Sequence, residues 1–313
     1  MSAYKVEQVR ESVMNISGKN IFYCHDTNFL FWCDVLGGQI CKLDLCTNRI
    51  SMCRIKDERI ISFIIPIEGF KDQFIVGAGK KLMIINWDGV TTMAHVMKIL
   101  CEIPVNGIRI NQCKVDKQGR LFFGTMISEE SGSFFNLQKR VGSFYRFTMD
   151  EGLVELKDRI GLSNGIAWNK NFTKMFYVDS YDLNIYEFDY DLTSGNIGNS
   201  KVLIDLSVYS HHGKKFAAGI TTDKDDNIFV TMLGCGQILK FNAKSRKIEQ
   251  EIKLNVQIVT SCEFGGKNFD TLYVTTSCSD VFGPQNFPAG FLFKVYNLNT
   301  NGTEMYKFKM NYE

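Results

Sequence analysis

Proline and histidine are scarce, at 4 residues each in a chain of 313. So few prolines leave no Pro-rich linker, and no apolar run approaches the roughly 18–20 residues of a membrane span. No block of like charge stands out either. With 36 Lys and Arg against 34 Asp and Glu, the net charge is +2. That balance removes the electrostatic case for nucleic acid or an anionic membrane as a partner. HExxH and P-loop patterns are missing, as are CxxC pairs. Of the histidines (His25, His95, His211, His212), none is spaced with a cysteine or carboxylate as in a zinc site. The pair in "YSHHGKK" reads as a solvated loop.

What is present begins with 10 cysteines, several flanked by Phe, Val and Leu in strand-like runs. They read as reduced core thiols, since cysteine packs as a small hydrophobe. The opening stretch "MSAYKVEQVRESVMNISG" is polar and mixed in charge, unlike a secretory signal. A cytoplasmic location is therefore expected, with secretion the alternative if a leader has been removed.

Six segments repeat one pattern, an alternating strand, a short Gly/Asp/Ser turn and a second strand. They are "NFLFWCDVLGGQICKLDL", "DQFIVGAGKKLMIINWDG", "GRLFFGTMISEE" with "GSFYRFTMDEG", "TKMFYVDSYDLNIYEFDYD", "DNIFVTMLGCGQILKFN", and "DTLYVTTSCSD" with "GFLFKVYNLNT". Their recurrence about every 45–55 residues is the spacing of four-stranded propeller blades. Leu30 and Trp32 alternate with Phe31 and Cys33, a period of two. Helical signal is nearly absent; "AHVMKILCEI" is the best amphipathic stretch and fits a strand equally well. The expectation is all-β, a six-bladed β-propeller forming a single domain over residues 1–313.

In such a ring the innermost strands line a central channel. The segments upstream of each pair supply them: "ISFIIP", "NGIRINQCKVD", "LSNGIAW", "FAAGITTD" and "VTSCEFGG". Polar residues within these apolar runs point at the axis, making Arg109, Asn111, Gln112 and Asn164 the candidates.

At these residues the chain resembles the regucalcin/gluconolactonase family, also called the senescence marker protein family, nearest to its insect luciferin-regenerating branch. The resemblance rests on "NGIRINQCKVDKQGRLFFGTM", "GLSNGIAWNKNFTKMFYVDSYDLNIYEFDYD" and "VTSCEFGGKNFDTLYVTTS", with "ISFIIP" and "INWDGV" in support. It implies a six-bladed propeller holding one divalent cation, often calcium, and hydrolysing lactones or related esters. In that family a Glu of "GEGPxW", an Asn of "NGlaw" and an Asp of "PDG" hold the cation. An Arg and an Asn of "RxNDG" and a Glu after "GTM" hold the substrate.

Carried over, Asn164 matches the metal-binding Asn, Arg109 and Asn111 the substrate pair, and Glu129 the acid. The motif "GEGPxW" has become "GKNIFY", placing Lys19 at the ligand Glu, and "PDG" has become "AAG", placing Ala218 at the ligand Asp. Asp223 matches a separate Asp of that motif. A hard cation wants 6–8 oxygens, and an ammonium about 4 Å from a dication repels it by about 8 kcal/mol at an effective dielectric of 20. No metal or other cofactor is therefore expected. The first reading is a binder of a small anionic or carbonyl-bearing organic ligand through Lys19, Arg109, Asn111, Glu129 and Asn164, Lys19 pairing with Glu129 or with the ligand. The only catalytic candidate is Lys19, as a Schiff-base amine. The alternative is a lactonase or esterase dependent on a divalent metal, with calcium or zinc. A third reading uses the outer surface as a scaffold for a protein partner.

Overall fold

The computed structural model describes residues 4–129, 140–209 and 215–310. The chain begins with β1 (Lys5–Gln8) and then forms β2 (Gly18–Cys24), β3 (Phe29–Asp34), β4 (Gln39–Asp44) and β5 (Arg49–Ile55). Next come β6 (Ile61–Pro66), β7 (Gln73–Ala78), β8 (Lys81–Asn86) and β9 (Met93–Glu102). One four-stranded sheet holds β10 (Ile108–Val115), β11 (Leu121–Ile127), β12 (Gly142–Thr148) and β13 (Gly152–Ile160). Another holds β14 (Ser163–Trp168), β15 (Lys174–Asp179), β16 (Asn184–Asp191) and β17 (Asn196–Asp205). A third holds β18 (Phe216–Thr222), β19 (Asn227–Leu233), β20 (Gln237–Asn242) and β21 (Ile248–Lys253). The last combines β22 (Val259–Gly265), β23 (Thr271–Thr276) and β24 (Phe293–Tyr296), with β1 paired antiparallel to β24.

The six separate blades expected from the repeats are not what the hydrogen bonding gives. Among the described residues there are five sheets, four of four strands and one of eight, ordered β2-β3-β4-β5-β9-β8-β7-β6. The merger occurs where the outer strand β5 meets β9 in parallel, at Arg54 opposite Met93 and Ile55 opposite Ala94. The start of the ten-residue β9 extends far enough to reach its neighbour. Alternation within a strand reveals which faces are apolar but not how far an outer strand reaches, so the repeat count misses this seam. Nonetheless β2, β6, β10, β14, β18 and β22 pack each against the next in a closed circuit, giving an all-β, propeller-like arrangement.

The period of two has a definite use. Leu30 and Trp32 of β3 pack in one core with Ile21, Tyr23, Cys41 and Leu43. Phe31 and Cys33 face the opposite way into another core, with Ile40, Phe63 and Phe74. Each sheet is thus buried on both faces, and its alternate residues serve different neighbours. The stretch 94–103 falls within strand β9 and its following residue. All ten cysteines are free, and most are buried, as core thiols should be. Among the described residues no helix is long and apolar enough to cross a membrane.

Candidate functional site

The site grows out of an irregularity common to all the inner strands. In an uninterrupted antiparallel ladder successive residues pair one to one; each inner strand instead carries a register shift near its start. The residues left over are Asn20–Ile21 on β2, Ser62 on β6, Asn111–Gln112 on β10, Asn164–Gly165 on β14, Ala218–Gly219 on β18 and Thr260 on β22. A bulge re-aims side chains away from the pleat, so these bulges form a belt around the channel near one mouth. Their glycines permit close approach of backbone. A Cβ on Gly165 would stand 2.7 Å from the carbonyl oxygen of Ala218, and one on Gly219 would stand 2.8 Å from Ser261 Cα.

Asn111 is the hub of the belt. Its Oδ1 accepts from Arg109 Nη1 at 2.8 Å and from Lys19 Nζ at 3.3 Å. Its Nδ2 donates to the Ser163 carbonyl at 2.7 Å and to Asn164 Oδ1 at 3.2 Å. Asn164 Nδ2 in turn donates to Ser180 Oγ at 2.6 Å, and Ser180 Oγ donates to the Ala217 carbonyl at 2.5 Å. Lys19 lies on β2 and Asn111 on β10, with β6 between them, so their bond spans the mouth. Asn164 sits inside β14, fixed by side-chain bonds on both its atoms, and does not serve as a left-handed turn residue.

Of the two partners expected for Lys19, Glu129 or a ligand, Glu129 is held by another residue. Glu129 pairs with Arg109, whose Nε and Nη2 reach its two carboxylate oxygens at 2.6 and 2.5 Å in a bidentate fork. Lys19 does not bond Glu129; its hydrogen-bond partner is the neutral Asn111 amide. The reason is geometric, since the planar guanidinium fits both carboxylate oxygens and leaves the amine the oxygen beside it. Lys19 is 7% exposed. Burial, and secondarily the charge of Arg109, pull its amine down to about 7, with Glu129 opposing weakly. Burial raises the Glu129 carboxyl, but Arg109 overrides it by charge and hydrogen bonding, leaving the group below its ordinary value. A cleft of about 350 Å³, lined in part by Arg59, Lys81, Arg109 and Ser128, opens beside the pair.

The structure thus brings Lys19, Arg109, Asn111, Glu129 and Asn164 into one network. Gln112 turns elsewhere: its Nε2 lies near Gly219, and its buried Oε1 makes no hydrogen bond among the described residues. Ala218 is fully buried on β18. Asp223 lies at the far end of the same strand, where its carboxylate accepts from Asp225 N, Asn227 N and Nδ2, and Thr300 Oγ1, a turn-fixing role. His211 and His212 lie outside the described residues. Sequence reasoning missed Asn20, which has a φ of 55° and bonds the Ser62 carbonyl at 2.5 Å. It also missed Ser180, the hydroxyl joining β14 to β18. A non-glycine residue in the left-handed region is a known sign of a special position, but φ is invisible in a sequence. Among the described residues no group of three or more His, Cys, Asp and Glu is placed to hold a metal ion.

The opposite end of β10 carries a second buried pair. Lys114 Nζ meets Glu263 Oε2 at 2.7 Å, and Thr221 Oγ1 donates to Glu263 Oε1. The segment after β24 crosses this end, with Phe308 N on the Pro66 carbonyl and Lys309 N on that of Gly119.

A family model described as "SMP-30/Gluconolactonase/LRE-like region" matches residues 18–278. Regucalcin of Gallus gallus is 28% identical over 313 residues, covering 98% of this chain and 99% of its own. Regucalcin of Homo sapiens is 27% identical over 312 residues, with the same shares covered. Among solved structures, a luciferin-regenerating enzyme superposes with a TM-score of 0.89 at 26% identity, over 98% of this chain and 100% of that one. A calcium-binding protein, regucalcin from Agrobacterium tumefaciens, superposes with a TM-score of 0.81 at 17% identity, over 99% of this chain and 98% of that one, a likeness of fold alone. With the match spanning most of its length, the chain belongs to the SMP-30/gluconolactonase/LRE-like family.

Proposed function

We propose that the belt mouth binds a small anionic or carbonyl-bearing organic ligand and works without a resident divalent cation. The observation that carries this reading is the buried amine of Lys19, whose one hydrogen-bond partner among the described residues is the neutral oxygen of Asn111. A buried cation without a counter-charge is costly, and an incoming anion or polarised carbonyl supplies what it lacks. Arg109 and Asn111 add donors fixed by their own partners, which is the preorganisation a binding site needs.

The residues at the three cation positions implied by the family resemblance do not fit a metal. Lys19 offers an amine and Ala218 a methyl group, neither an oxygen ligand, and Asn164 Oδ1 already accepts from Asn111. The second reading, a metal-dependent lactonase or esterase, draws support from the family match and from Arg109, Asn111 and Glu129 standing together.

Thermal unfolding of chelator-treated protein, with and without calcium, zinc or manganese, separates the two. A ligand at 100 times its dissociation constant adds about 2.7 kcal/mol, a rise of several degrees in a domain this large. The expected result is no shift with any ion, and no turnover of a sugar lactone. A clear rise with one ion, accompanied by turnover, restores the lactonase.

A further inference from the structure

We infer that Lys19 holds its ligand covalently, as an imine formed with an aldehyde or ketone carbonyl. This rests on the ligand-binding reading above and narrows the ligand to the carbonyl-bearing class. An amine is a nucleophile only where its proton is easily lost. Exclusion of water and a second cation nearby both bring that about, and both are built around Lys19.

Lys19 stands opposite Cys33 in the β2–β3 ladder, directly before the bulge of β2. Its ammonium shares the Asn111 oxygen with Arg109 Nη1, so a guanidinium is its close neighbour. The nearby carboxylates are engaged elsewhere. Glu129 is forked by Arg109, and Asp34 of β3 accepts from the amides of Ile16, Ser17 and Gly37. Cys33 is buried, and burial pushes its thiol well above its ordinary range, so it carries no charge. Strands β6 and β22 bring Ser62 and Thr260 to the belt, both uncharged. With the proton released near 7, about half of the molecules at neutral pH present a free lone pair.

Arg109 is placed to polarise the carbonyl. Four of its five N–H groups donate to Glu129, Asn111 and the Ile110 carbonyl. The fifth, on Nη2, has no partner among the described residues. The cleft of about 350 Å³ that Arg109 lines gives the approach, one shared oxygen away from Lys19, and the Glu129 side chain beside it is 28% exposed. The Nζ lone pair forms the C–N bond as the C=O π pair moves to oxygen, which takes up the proton that nitrogen loses. The carbinolamine so formed loses its hydroxyl, protonated by solvent, as water, and the remaining N–H proton returns to solvent. Amine and carbonyl thus give imine and water, with nothing oxidised or reduced.

Treating the full chain with propanal and sodium cyanoborohydride tests this, because the hydride fixes an imine as a stable secondary amine. Proteolysis and mass spectrometry then read the rate at each lysine. A lysine in water is a free amine in fewer than about one molecule in a thousand at pH 7. The expected result is propylation of Lys19 at least tenfold faster than of Lys56 and Lys267, which are exposed. Its rate should level off above pH 7 while theirs keep rising to pH 9. Asn111→Asp gives the amine a counter-charge and should slow Lys19 tenfold or more at pH 7; the wild-type comparison decides even where that variant does not fold. Lys19 reacting no faster than the exposed pair, or with a pH profile parallel to theirs, overturns the imine. Thermal unfolding with propanoate judges the parent reading separately. A rise in melting temperature with slow Lys19 overturns the imine and leaves the pocket standing; slow Lys19 without a rise overturns both. Fast Lys19 that levels off above pH 7 upholds the imine with or without propanoate binding.

Discussion

Replacing Lys19 with methionine keeps most of the unbranched stem of the side chain and removes the amine with its charge, so it tests the cost of burying that amine. In the unfolded chain the amine holds its proton to near 10.5, whereas in the fold it is released near 7. At about 1.4 kcal/mol per tenfold change in proton affinity, the burden on the folded state approaches 5 kcal/mol as an upper bound. Below pH 7 both states carry the proton and the whole cost is present. Between 7 and 10.5 the unfolded state binds more protons than the folded one, so wild-type stability rises with pH. Methionine has nothing to titrate. The variant is therefore expected to be the more stable protein at pH 6, and its advantage should shrink by up to about 1.4 kcal/mol per pH unit above 7. Urea unfolding of both proteins at half-unit intervals from pH 6 to 9.5 reads this difference, and the common titrations of other groups cancel. Parallel curves for the two proteins would refute the reasoning, because they would mean that Lys19 keeps an ordinary proton affinity inside the fold.

Three further outcomes are expected. Gly165→Ala should cost about 1–3 kcal/mol in unfolding free energy, because its new Cβ would meet the Ala218 carbonyl oxygen and Ile220 N at 2.7 Å; a melting temperature equal to wild type would show that the inner strands part easily. Lys114→Met leaves Glu263 buried without its cation and should cost about 3–5 kcal/mol, while Lys114→Met with Glu263→Leu should recover most of that loss; denaturant midpoints of both variants decide it. Lys19→Glu combined with Ala218→Asp places two carboxylates beside Asn164, and calcium should then raise the melting temperature by several degrees where wild type shows none.

Much of the frame is legible in the sequence because apolar alternation is a local property. "ISFIIP" is β6 in full, and "FAAGITTD" contains all of β18. The seam joining β5 to β9 is not legible, since it depends on how two outer strands meet in space. The site divides in the same way. Spacing and motif placed Arg109, Asn111, Glu129 and Asn164 in one neighbourhood, where they are found. They did not reveal that Glu129 would be taken by Arg109, because a bidentate fork depends on approach angle. Nor did they reveal the bulges, since an extra residue in a ladder has no composition of its own.

The belt of bulges also bears on how such a site changes over time. A residue within a bulge stands outside the regular pairing, so exchanging its side chain leaves the neighbouring rungs intact. The methyl of Ala218 and the amide of Asn164 occupy corresponding places on different strands, and the same backbone presents both. The ring thus behaves as a socket with interchangeable fittings, in which the side chains offered to the channel can change while the scaffold's stability is held elsewhere, in the apolar layers between sheets.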